Sequence, residues 1–153
     1  MDDVFNSRSL VYSGYKVLDA FERGERMVLL VLDGLIFLSK LQAAARIQAI
    51  EVRAVSVSDA WSRARETSPR GLVIDLNDRS GASVDLIRQL KADGATAGIP
   101  VVGFLSHVQA DLAASARAAG CDMLLARSAF VKQLPELLAK LDKAENGTTI
   151  PAD

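Results

Sequence analysis

Short apolar runs of strand length alternate along this chain with stretches of helical periodicity, and that alternation restricts the fold more than any single residue does. Met27–Leu32 (MVLLVL) is an unbroken apolar run, and Ile50–Val55 (IEVRAV) alternates apolar and polar residues. Gly71–Leu76 (GLVIDL), Ile99–Leu105 (IPVVGFL) and Asp122–Ala126 (DMLLA) are again mostly apolar. Continuous apolar runs suit strands covered on both faces, as parallel sheets require. Between them, Phe37–Ala49 spaces Leu38, Leu41, Ala45 and Gln48 along one helical face, and Ser83–Ala92 does the same with Val84, Ile87 and Leu90. Ser58–Glu66 opens on a serine suited to an N-cap and carries Trp61 and Ala64. Gln109–Ala119 is rich in alanine and stops at Gly120, a good C-cap. Leu134–Ala144 tolerates Pro135 only if the helix starts at about residue 133 or 134. The order is βα five times over, which predicts a doubly wound parallel α/β sheet with right-handed crossovers.

Composition narrows the function. Half of the 153 residues are hydrophobic but only 5% are aromatic, so the expected core is aliphatic. The net charge is −1, with basic residues scattered and no basic stripe, which disfavours nucleic-acid binding. One cysteine, Cys121, and one histidine, His107, exclude an internal disulfide, a multi-cysteine zinc site and a histidine-rich metal centre. The longest apolar stretch, Met27–Leu38, is too short to span a bilayer and carries Asp33. No basic segment precedes an apolar run at the N-terminus, so a cytoplasmic location is expected, with no membrane contact. Neither G-x-G-x-x-G nor a P-loop occurs, so a dinucleotide or nucleotide site lacks its phosphate cradle. Residues 1–26 read as an N-terminal extension, 27–144 as the domain and 145–153 as a disordered tail. Within the extension, Gly14–Arg23 is either a short helix with Val17, Leu18 and Phe21 on one side or a loose leader.

In such a sheet, ligands sit at the carboxyl ends of the strands. Those positions hold Asp33 and Gly34, Asp75 and Asn77, Ser106 and His107, and Arg127. From about Met27 to Lys143 the set resembles the receiver domain of bacterial two-component response regulators. Pro69–Leu76 (PRGLVIDL) is similar to the segment around that family's phosphoryl-accepting aspartate. Ile99–Val102 (IPVV) resembles its fourth strand. Gly120-Cys121-Asp122, followed by Arg127 and Phe130, resembles its Gly-Ala-Asp and Lys-Pro-Phe, with the same spacing from the glycine to the basic residue. The resemblance implies a five-stranded flavodoxin-like sheet of strand order 2-1-3-4-5 and a signalling module rather than an enzyme. It makes Asp75 the acceptor and Asp33, Asp75 and Asn77 the ligands of a weakly held Mg²⁺. It makes Ser106 and Arg127 the groups that bind the phosphoryl oxygens. In the family, a hydroxyl bond to that phosphoryl group draws the fourth-strand loop inward and remodels the face made by helix 4, strand 5 and helix 5.

The chain departs from the pattern. Gly34 stands where the family has a second acid, which should weaken metal binding. Counted from Pro100, the hydroxyl position falls on Leu105, and Ser106 comes one residue late, as if a bulge were needed. Arg127 replaces lysine and is expected to pair with Asp75, Asp33 or both. Bland roles stay open beside these: Asp75 as a loop cap, Asp33 as a turn residue, Ser106 as an N-cap, Arg127 in a purely stabilising ion pair, and His107 on a solvent-facing loop. Cys121 is expected to be a small core residue and Trp61 a half-buried one. With no output domain after Lys143, the expected function is a stand-alone atypical receiver acting through protein contacts, with a histidine kinase among its partners. A homodimer is expected through a face carrying exposed Phe130, Val131 and Leu134. The alternatives are a receiver-like binding module that works without phosphorylation and a small flavodoxin-like enzyme or cofactor binder.

Overall fold

The computed structural model describes residues 27–32, 35–77, 80–106 and 109–143. The proposed extension, the proposed tail, Asp33, Gly34 and His107 therefore lie outside the described residues. The strands are β1 (Met27–Val31), β2 (Glu51–Ala54), β3 (Gly71–Asp75), β4 (Val101–Leu105) and β5 (Met123–Ala126). The helices are α1 (Leu35–Ile47), α2 (Val57–Thr67), α3 (Ala82–Ala92), α4 (Ala110–Ala119), α5 (Arg127–Lys132) and α6 (Leu134–Lys143). All strand pairs are parallel, and the order across the five-stranded sheet is β2-β1-β3-β4-β5. The fold is flavodoxin-like, as the βα alternation and the resemblance together predict.

The strands alternate their side chains between two cores. Leu29, Val31, Leu72, Ile74, Val101 and Leu105 pack with α2, α3 and α4 on one face. Val28, Leu30, Val73, Val102 and Phe104 pack with α1, α5 and α6 on the other. The sheet interior is thus buried on both sides, which is why β1, β3 and β4 read as unbroken apolar runs. The edge strand β2 carries Glu51 and Arg53, joined by a 2.6 Å ion pair. Opposite-charge pairing of this kind suits an edge that must not recruit another strand.

Local chemistry accounts for several boundaries. Ser56, not Ser58, caps α2: its hydroxyl accepts from the Asp59 amide at 3.2 Å, and Ser58 lies inside the helix. Gly120 closes α4 at φ 109°, and its amide bonds back to Ala116 and Arg117. A side chain at that position would also meet the stem of Lys91 at 2.7 Å. The Gly103 backbone lies so close to its neighbours that a Cβ would stand 2.7 Å from Leu76 and 3.1 Å from Cys121. The short helix α5 is not evident in the sequence pattern, because its six residues complete less than two turns.

The amino end of the sheet is held by one ion pair with satisfied surroundings. Lys91 Nζ donates to Asp122 at 2.8 Å and to the carbonyls of Ala97 and Ile99 at 3.1 and 2.9 Å. The same Asp122 oxygen accepts from the Val101 amide at 2.8 Å. One ammonium therefore fastens α3 to the starts of β4 and β5. Lys91→Met removes the cation and strands an acid and two carbonyls, so it should destabilise the protein by about 1–3 kcal/mol in urea unfolding. A change below about 0.5 kcal/mol, the range of ordinary surface substitutions, would show that the network contributes nothing to stability.

Candidate functional site

Parallel strands end together, so the carboxyl ends of β3, β4 and β5 gather polar residues at one edge of the sheet. Asp75 is the last residue of β3 and is register-paired with Phe104 of β4. Its side chain is 17% exposed, enough to be reached from solvent. Its carboxylate is engaged from two sides. Oδ1 accepts from the Asn77 backbone amide at 2.9 Å and from Asn77 Nδ2 at 2.6 Å. Oδ2 faces Arg127 Nη2 at 3.8 Å, an ion pair too long for a hydrogen bond. The Asp75 carbonyl accepts from the buried hydroxyl of Ser83, which ties the start of α3 to the end of β3.

Asn77 links this acid to β4. Its Oδ1 accepts from both the amide and the hydroxyl of Ser106, each at 2.8 Å. Ser106 needs no bulge to arrive there. β4 and β5 run in unbroken register up to Leu105 and Ala126. Leu105 turns into the core beside α3 and α4, and Ser106, one residue past the strand, takes the opposite side. Counting from Pro100 places the hydroxyl position on Leu105, but Leu105 is a core residue and the hydroxyl beside Asn77 belongs to Ser106.

Arg127 opens α5 directly after β5. Its guanidinium lies over the ring of Phe37 at 5.5 Å and over that of Phe104 at 5.8 Å. Phe104 stacks on Phe130 at 4.7 Å, and Phe37 meets both rings at 5.1 and 5.6 Å. Three of the five phenylalanines thus form the floor under one arginine. This floor is not evident in the sequence pattern, although Phe104, two residues before the expected site residue Ser106, was the available signal. It also corrects the expected partner face. Phe130 and Leu134 are core residues at 0% and 5% exposure, drawn inward by this cluster and by α6 packing, and are not exposed anchors.

Two of the three expected metal ligands, Asp75 and Asn77, lie together among the described residues, and the third, Asp33, lies outside them. Mg²⁺ seeks near-octahedral oxygen coordination through carboxylates and water. Asn77 donates to Asp75 Oδ1, and the Arg127 cation faces Oδ2. No group of three His, Cys, Asp or Glu side chains that could hold a metal comes together among the described residues.

Many solved structures share this frame, among them the following. A putative response regulator from Chloroflexus aurantiacus matches with a TM-score of 0.68 at 18% identity, over 78% of this chain and 98% of that one. The receiver domain of the sensor histidine kinase PA1611 from Pseudomonas aeruginosa, which has magnesium in its active-site cleft, matches with 0.67 at 17% identity, over 78% and 98%. The Mn²⁺-bound response regulator Rcp1 matches with 0.63 at 16% identity, over 83% and 99%. The chain has the receiver-domain fold. No family profile matches the sequence, and no curated protein does.

Two further sequence expectations are resolved around this frame. Trp61 is half-buried, with its indole donating to Asp93 at 3.0 Å. Cys121 packs against the core, and burial pushes its thiol up to about 11. Its Sγ lies 3.1 Å from the Met123 carbonyl as a donor. The thiolate is the reactive form, so iodoacetamide at pH 8 should modify Cys121 slowly in the native protein and readily in urea. Equal rates in the two states would contradict its burial as a neutral thiol.

Proposed function

We propose that the chain is an atypical receiver domain of two-component signal transduction, with Asp75 at the phosphoryl-accepting position and output through protein contacts. The observation that supports this most is the gathering of Asp75, Asn77, Ser106 and Arg127 in one cluster at the carboxyl edge of a receiver-like sheet. In the modification step, one Asp75 carboxylate oxygen attacks the phosphorus of the donor and forms an acyl phosphate. The bond from phosphorus to the leaving group breaks, and that group departs with its electron pair. A histidine kinase phosphohistidine is the donor in this reading. Arg127, fixed over its rings, and the Ser106 hydroxyl are the groups within the cluster that can meet phosphoryl oxygens. Mg²⁺ would supply charge neutralisation on those oxygens where it binds. Its binding is weak in this reading, because Asp75 is already engaged.

No helix among the described residues is long and apolar enough to cross a membrane, and the proposed setting is the cytoplasm. The proposed output surface is the face of α4, β5 and α6, where a second copy of the chain is the proposed partner. A groove of about 310 Å³ runs there between Arg117, Met123, Leu124, Leu125 and Gln133. Apolar residues of β5 line it, and a polar rim surrounds them, as protein interfaces require.

A second reading, in which the domain binds its partner without modification, is favoured by the engagement of both Asp75 oxygens. Acetyl phosphate with Mg²⁺, followed by intact-mass measurement, separates the two. Wild type should gain one phosphoryl group and Asp75→Asn none. A label that persists in Asp75→Asn would overturn the acceptor assignment. A folded wild type that takes no label would leave the second reading standing.

A further inference from the structure

Asn77 uses both ends of one carboxamide. Nδ2 donates to Asp75 Oδ1 at 2.6 Å, and Oδ1 accepts twice from Ser106 at 2.8 Å. The orientation of the amide is fixed by chemistry. Flipped, it would set an N–H₂ against the Ser106 amide and a carbonyl oxygen against a carboxylate, leaving donor facing donor and acceptor facing acceptor. No other side chain of this length presents a donor to one neighbour and an acceptor to the other in a plane. Asn77 thus joins the end of β3 to the first residue after β4, and Ser106 leads through three residues into α4.

We propose that Asn77 is a positioning residue that pins the segment after β4 to the end of β3, so that the α4–β5 face is held in one state whether or not Asp75 is modified. In the receivers that this chain resembles, a phosphoryl group recruits the strand-4 hydroxyl and so draws the loop inward. Here the Ser106 hydroxyl and amide already have an inward partner on β3. A phosphoryl group on Asp75 would meet a hydroxyl that is spoken for, and the difference it makes between two states of the loop is correspondingly small. A ligand shifts an equilibrium only by its differential affinity for the two states. The charge of the site points the same way. Arg127 is set over the Phe37 and Phe104 rings, so the cation opposite Asp75 is supplied by the chain itself. This inference rests on the receiver reading but not on whether Asp75 accepts a phosphoryl group.

The test is amide hydrogen exchange and backbone NMR on the full chain, comparing wild type with Asn77→Ala, Ser106→Ala and Asp75→Asn. The Ser106 amide should be protected in wild type. Asn77→Ala should raise its exchange rate about tenfold, the loss of one hydrogen bond, and shift signals of Ala110–Ala119 and Met123–Ala126. Ser106→Ala keeps the amide bond to Asn77, so it should raise exchange less and stay folded even if Asn77→Ala does not. Asp75→Asn should leave α4 and β5 signals in place, as should beryllofluoride with Mg²⁺, a phosphoryl mimic. Unchanged Ser106 exchange in Asn77→Ala would overturn the pin, as would an unprotected Ser106 amide in wild type. So would movement of α4 and β5 on adding beryllofluoride, although that result would strengthen the acceptor reading. Absence of acetyl phosphate labelling with the pin intact would overturn the acceptor reading alone.

Discussion

The pairing of Asp75 with Phe104 across β3 and β4 is the constraint on which the candidate site depends. A parallel register brings the last residue of one strand beside a defined residue of the next, and side chains alternate faces with period two. Asp75 and Phe104 therefore share the face that α1 and α5 cover, and Phe37 and Phe130 reach the same ring from those helices. The acid acquires an aromatic floor beside it. Arg127, the first residue of α5, lies on that floor.

Magnitudes decide what holds the arginine. Its ion pair with Asp75 is 3.8 Å long, and its side chain is 46% exposed, so the pair contributes at most about 1 kcal/mol. Each ring contact at such a partly exposed site contributes about 0.5–1 kcal/mol. Two rings together match or exceed the charge pair and persist at high salt, where exposed charges are screened. The planar guanidinium can stack in a way that a lysine ammonium cannot, which gives a physical reason for arginine at this position. The opposite edge of the sheet has another character. Lys91 and Asp122 are half-buried among carbonyls and an amide that they satisfy. One edge is thus tightly fastened, and the other carries the reactive polar groups.

The fold was legible because each level of the sequence agreed with it. Apolar runs of strand length, helical periodicity between them, Gly120 at a helix end and Pro135 near a helix start all fit one βα topology. What misled were short-range choices between near-equivalent residues. Ser56 and Ser58 both suit an N-cap, and only the chain path selects Ser56. The strand-end rule brought Asp75, Asn77, Ser106 and Arg127 forward, and these do converge. Asp33 belongs to the same prediction but lies outside the described residues. The aromatic floor joins positions 37, 104 and 130, and no local pattern connects residues so far apart in the chain. For the same reason Phe130 read as a surface anchor and is a core residue. The amide bridge of Asn77 was equally hidden, because its role depends on where Ser106 turns after β4.

Arg127 is seated over aromatic rings beside Asp75, as a cation that belongs to the site. The side-chain NMR resonances of Arg127 report this directly, since ring currents above an aromatic face shift protons upfield. Arg127 side-chain protons are expected upfield-shifted in the native protein, with the shift largely lost in Phe104→Leu and retained in Asp75→Asn. Arg127 protons at the values of an unfolded chain in folded wild type would contradict that seating.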